Sequence, residues 1–183
     1  MNTLHSPVLL ILIVLVVAML SACATATPAQ ELISGGGSSP EDVTESFFED
    51  LNAALQDADL QDEETRRSWT ERLASRFAPS ERASRRSLLG QMLADFAFVR
   101  RNEAGERYQV EVLYDQVVLI SRDHDRGRVR LIDGKIRITR YREDENGDQA
   151  ILSERERPLS EVIGITGDAF PVIRVEQRWF LTE

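Results

Sequence analysis

Residues 128–138 read RVRLIDGKIRI. Val129 and Leu131 alternate with arginine, as one face of a half-buried strand does, but beyond Asp133-Gly134 the apolar positions Ile136 and Ile138 carry the opposite parity. Side chains in a strand alternate strictly between faces, so no single register buries all four. Two arrangements restore them. Asp133-Gly134 can close a two-residue hairpin that pairs Leu131 with Ile136 and Val129 with Ile138, or Gly134 can make a bulge in one long bent strand.

On either side of this stretch the pattern stays β. Tyr108–Val112 alternates, whereas Val117–Ile120 is apolar on both faces and reads as a central strand covered on both sides. Asn146-Gly147 is a second hairpin signal. The stretch ILSERERPLS that follows is charged and carries Pro158, as a protected edge strand should be. Ile173, Val175, Trp179 and Leu181 then point inward from a final strand.

Upstream the period changes to that of helices. Ser39 before Pro40, Glu41 and Asp42 is a helix start, followed by Val43, Phe47, Leu51, Ala54, Leu55 and Ala58 at helical spacing. A second helix fits Asp62 to Phe77, with Trp69, Leu73 and Phe77 four apart. A third runs from Pro79 or Ser80 to Val99, its stripe made of Leu88, Leu89, Met92, Leu93, Phe96 and Val99. The expected class is therefore α+β: three N-terminal helices packed on a strongly bent antiparallel sheet of about four to five strands, spanning residues 40–183.

The chain begins differently. Val8 to Leu20 is an unbroken apolar run of thirteen residues, too short for a membrane-spanning helix of ~20 but suited to a signal-peptide core. Small residues follow at once, and Leu20-Ser21-Ala22-Cys23 resembles the bacterial lipobox. That resemblance implies a signal peptide over residues 1–22 and a mature chain that starts at Cys23, whose thiol carries the lipid. Ordinary cleavage at Ala22-x-Ala24 or Ala24-x-Ala26 and an uncleaved short anchor are the alternatives, and MNTLHSP lacks the lysine or arginine usual in a signal peptide. The small, glycine-rich residues 23–39 read as the lipidated cysteine and a flexible tether.

Charge narrows the partners. The formal net charge of −9 argues against nucleic acid, which needs a concentrated basic surface. From Glu41 to Glu64 there are ten acids and no base, and from Arg66 to Arg86 seven arginines against two acids, so the neighbouring helices should attract.

Three helices and a bent sheet that closes on PVIRVEQRWFL resemble the nuclear transport factor 2-like, or cystatin-like, cone fold. The features that carry the resemblance are Pro171–Arg174, the charged turn, Arg178–Leu181 and the GRVRLIDGKIRI stretch, which is similar to the bent strand of bacterial lipoprotein members. Family membership implies a cone-shaped cavity between sheet and helices, but no particular chemistry, since this fold hosts enzymes and non-catalytic modules alike.

The residues supply little for catalysis. Without the leader the chain keeps one histidine, His124, in the polar turn SRDHDRGR, and one cysteine, which leaves no Cys-His pair and no histidine metal site. Asp144-x-Asn146-x-Asp148 starts like a calcium loop, but Gln149 and Arg155 stand where that loop needs glycine and glutamate. Asp95, Asp115, Tyr108 and Tyr114 are the remaining candidates for proton transfer, and no catalytic residue, cofactor or metal is assigned.

Two features point to binding instead. Glu81 and Arg85 extend the third helix's apolar stripe with a charged pair, where the helix overhangs the sheet or guards a cavity mouth. The loop VIGITGDAF places Val162, Ile163, Ile165 and Phe170 outside any periodic element, as a plug, a lid or a docking surface. The expected protein is thus an extracytoplasmic lipoprotein, held to the cell membrane through Cys23, that binds a small apolar ligand or an envelope protein. A cofactor-free enzyme of isomerase or hydrolase type using a pocket carboxylate, and a structural component of an envelope complex, are the alternatives.

Overall fold

Ser39 has extended backbone, and its hydroxyl accepts from the Asp42 amide at 3.1 Å; Pro40 then opens helix α1 (Pro40–Gln56). The computed structural model that shows this describes residues 34–100, 106–143, 149–159 and 169–183. Asp62 caps α2 (Glu63–Ala74) by accepting from the Thr65 amide at 2.9 Å. This helix stops three residues short of Phe77 because the chain turns to another partner. The Leu181 amide donates to the Arg76 carbonyl and the Ala78 amide to the Leu181 carbonyl, both at 2.9 Å.

Helix α3 (Arg82–Val99) buries a different stripe from the expected one. Leu89, Leu93 and Ala97 are buried, while Leu88 is 62% and Val99 55% exposed. The cause is its neighbour: α3 packs on α2 and on the end of α1, around Leu55, Leu60 and Leu73, with Gly90 facing Thr70 where the two helices cross.

Seven strands follow: β1 (Glu106–Leu113), β2 (Gln116–Asp123), β3 (Arg126–Ile132), β4 (Lys135–Glu143), β5 (Gln149–Pro158), β6 (Ala169–Val175) and β7 (Arg178–Leu181). They form two antiparallel sheets, ordered β1-β4-β5 and β2-β3-β6-β7. The protein is of the α+β class, with its three helices N-terminal to all the strands.

Asp133-Gly134 is not a hairpin. β3 pairs with β2 and β6, β4 pairs with β1 and β5, and the chain changes sheets between them. Asp133 takes the left-handed conformation (φ 53°), and the Gly134 carbonyl accepts from the Leu159 amide at 3.0 Å. The antiparallel partner breaks at the same level: Tyr114-Asp115 separates β1 from β2, and the Asp115 amide donates to the Ile132 carbonyl at 3.0 Å. The two-residue break resets the parity, so Val129, Leu131 and Ile136 all reach one apolar cluster. It also explains why seven strands stand where four to five were expected, since each long strand counts twice.

Two further expectations fail. The stretch Val117–Ile120 lies in β2, an edge strand rather than a central one; a register shift after Leu119 leaves Ile120 41% exposed. The final strand is a hairpin, with Glu176 at φ 57° in its turn. Trp179 and Leu181 face the core across from Arg174 and Val172, which puts Ile173 and Val175 on the opposite face. β5 is an edge strand as its charges suggested. The Asn146-Gly147 turn lies outside the described residues, flanked by the antiparallel β4 and β5.

Part of the stretch read as tether is built into the domain. Gly37 forms an antiparallel bridge with Trp179, with backbone hydrogen bonds of 2.8 and 2.9 Å, and the Gly36 amide donates to the Ser75 carbonyl at 3.0 Å. This strap and residues 76–78 together seal the free edge of β7. The open edge of β1 is held by Asn52, whose side-chain amide donates to the Val112 carbonyl at 2.8 Å and accepts from its amide at 2.7 Å. Beneath the strap, Asp50 is buried and accepts from Arg76 at 2.8 and 3.0 Å and pairs with Arg72 at 2.7 Å, the attraction between charge blocks made specific. Ser34–Glu183 is one compact unit that holds both clusters of core residues found among the described residues, together with these partners.

Candidate functional site

Most of the buried apolar residues fall into two clusters. One lies between α1 and the sheets, around Val43, Phe48, Val129, Val172 and Trp179, and the other among the helices, around Leu60, Leu73 and Leu93. Phe47, Leu51 and Phe77 touch both. Phe47 and Phe48 are adjacent on a helix, and successive positions there point about 100° apart, so the pair can serve two cores at once. Between the clusters the packing is incomplete, and a cavity of about 720 Å³ opens.

The walls are apolar. Phe47, Phe48 and Leu51 come from α1, Leu89 and Met92 from α3, and Val112, Ile136 and Leu181 from the strands. An edge-to-face chain of rings stiffens one side: Phe77 lies 5.4 Å from Phe47, Phe47 lies 5.2 Å from Phe48, and Phe48 lies 5.2 Å from Phe170.

Polar groups gather at the rim. Arg85 donates to Glu183 Oε1 at 2.7 Å and its guanidinium sits 5.1 Å over the Phe77 ring. Glu81 accepts from the Thr182 hydroxyl and lies 3.8 Å from Arg85, an ion-pair contact too long for a hydrogen bond. Arg85 Nε and Glu81 Oε2 are buried without hydrogen-bond partners among the described residues. A donor and an acceptor left unmade cost stability; Arg85 lines the cavity and Glu81 does not, so a ligand's polar end would meet Arg85 alone.

Of the residues singled out from sequence, Arg85 and Phe170 line the cavity. Glu81, one turn before Arg85, stands behind the rim and holds Thr182. Val162, Ile163, Ile165 and Cys23 lie outside the described residues. His124 is exposed in the β2–β3 turn at φ 48°, its ring 2.6 Å from Asp123. The candidates for proton transfer do not converge. Asp95 is exposed and bonded to Gln91, Asp115 is exposed, and Tyr108 lies on β1 opposite Arg140. Tyr114 packs on Phe48, and burial, with Glu49 and Glu45 nearby, pushes its phenol above the usual range, so it stays protonated at neutral pH.

Among the described residues no group of histidine, cysteine and carboxylate side chains could hold a metal ion, and no helix is long and apolar enough to cross a membrane. No protein-family model matches the chain, and no curated protein is significantly similar to it.

Proposed function

We propose that this chain is a membrane-anchored extracytoplasmic lipoprotein whose single domain holds a small, mainly apolar ligand in the cavity between its two cores and does not transform it. The cavity carries the reading. A space of about 720 Å³ with aromatic and aliphatic walls and a few polar groups at its rim has the size and lining of a ligand site. The paired breaks at Tyr114-Asp115 and Asp133-Gly134 support a cone-like arrangement, in keeping with the resemblance to nuclear transport factor 2-like domains. Among the described residues Glu183 is the only carboxylate on the lining, and it is bound to Arg85, which favours binding over the isomerase or hydrolase reading.

Met92 stands on the rim and is 39% exposed, so a larger ring there obstructs the cavity while leaving both cores as they are. Met92→Trp should weaken uptake of a fluorescent fatty-acid probe by about tenfold or more, the equivalent of ~1.4 kcal/mol, and Met92→Ala should not. Uptake that ignores both substitutions places the probe elsewhere and removes the support for a cavity ligand.

The anchor is tested separately. Cys23→Ala should abolish membrane retention, because stable anchoring takes two acyl chains or more. An alanine variant that still fractionates with membranes after a high-salt wash contradicts the lipoprotein reading.

A further inference from the structure

The two halves of the long strand treat their arginines differently. In β4, Arg137 pairs with Glu156 at 2.8 Å, and Arg140 and Arg142 pair with Glu106 at 3.6 and 3.2 Å. In β3, Arg126, Arg128 and Arg130 alternate with buried Gly127, Val129 and Leu131, so all three project from the face opposite the core. None of their guanidinium groups makes a hydrogen bond or an ion pair among the described residues. The carboxylate in register with Arg126 is Asp123, and it binds the His124 ring instead. In a chain of net charge −9, three exposed guanidinium groups in one row without partners are an exception that calls for an anion.

The strap says where that anion is. Gly36 covers Phe180, which shares this face with the arginine row through the pairing of Ile173 with both Phe180 and Arg126. Ser34, whose carbonyl accepts from the Arg82 guanidinium that sits over the Phe180 ring, therefore lies on the same side of the sheet as the arginines. Ten residues lie between Cys23 and Ser34, and even fully extended the eleven steps reach no more than about 40 Å.

We propose that this arginine face lies against an anionic phospholipid surface and orients the domain on the membrane to which Cys23 ties it; the proposal rests on the lipoprotein reading above. At physiological ionic strength charges are screened over roughly 8 Å. Acids farther than that from the headgroups are then not felt, whereas arginines in contact with the headgroups are. Arg128 and Pro171 also border the cavity, so its rim reaches the same face, and an apolar ligand could pass between membrane and cavity without crossing bulk water.

The test uses the fragment 34–183, which carries no lipid, and flotation with vesicles of phosphatidylglycerol or of phosphatidylcholine at physiological salt. The fragment should float with the first and not with the second. Arg126→Ser, Arg128→Ser and Arg130→Ser combined should lower the partition coefficient on the order of a hundredfold, roughly fivefold per arginine. The same three changes at Arg137, Arg140 and Arg142 alter the net charge equally and should lower it far less. A single Arg128→Glu change, at an exposed position, gives the same answer should the triple variant unfold. A fragment that floats with neither vesicle, or two triple variants that lose binding equally, overturns the proposal. Because Cys23 is absent from the fragment, this outcome is independent of the anchoring experiment on Cys23→Ala.

Discussion

Gly36→Ala should destabilise the domain by about 2–5 kcal/mol, the sum of a left-handed alanine and an overpacked site. Gly36 has φ 66°, and a Cβ added there would lie 2.5 Å from the Phe180 ring and 2.7 Å from the Trp179 carbonyl oxygen. The ring could shift, but the carbonyl belongs to β7 and cannot without opening the sheet. Relief comes only by lifting the strap, which gives up the Gly37–Trp179 bridge and uncovers Phe180. A fragment starting at Ser38, which lacks the strap, should therefore lose about as much. Denaturant unfolding of Gly36→Ala that costs less than ~1 kcal/mol would mean that the strap contributes nothing to the fold.

Trp179→Ala should cost a similar amount, about 3–5 kcal/mol. Its ring is 3% exposed among Val43, Val172 and Leu181, with the Arg122 guanidinium 5.0 Å from its centroid. Trp179→Phe keeps most of the buried area and should cost much less. If the alanine variant lost under ~1 kcal/mol, the ring would be at the surface and the β6–β7 register wrong.

These two sites mark where the sequence was readable and where it was not. The helix starts at Ser39 and Asp62 were legible because a cap is a local event, one side chain meeting an amide three residues on. Trp179 was legible through alternation, although the hairpin that reverses Ile173 and Val175 was not, because Glu176 takes a left-handed turn usually given to glycine. Gly35-Gly36-Gly37 read as tether because glycine serves flexible linkers and close backbone approach alike, and composition does not separate the two.

The face of α3 was misread for a related reason. Leu88, Leu89, Met92 and Leu93 make an apolar arc wide enough for two orientations, and the choice of Leu89 and Leu93 is made by α2, a tertiary partner. The cavity depends on that choice. Arg85 and Phe170 were visible as an anomalous charge and an aromatic outside the regular pattern, but the space between them exists because two cores fail to merge, and no local pattern reports a gap.

The most direct test of the account is native mass spectrometry of the protein released from its own membranes in mild detergent, beside its Met92→Trp variant. The account predicts a small apolar molecule bound to the first and absent, or much reduced, on the second. A domain that carries nothing, or a molecule that stays bound equally well when Met92 is tryptophan, would contradict it.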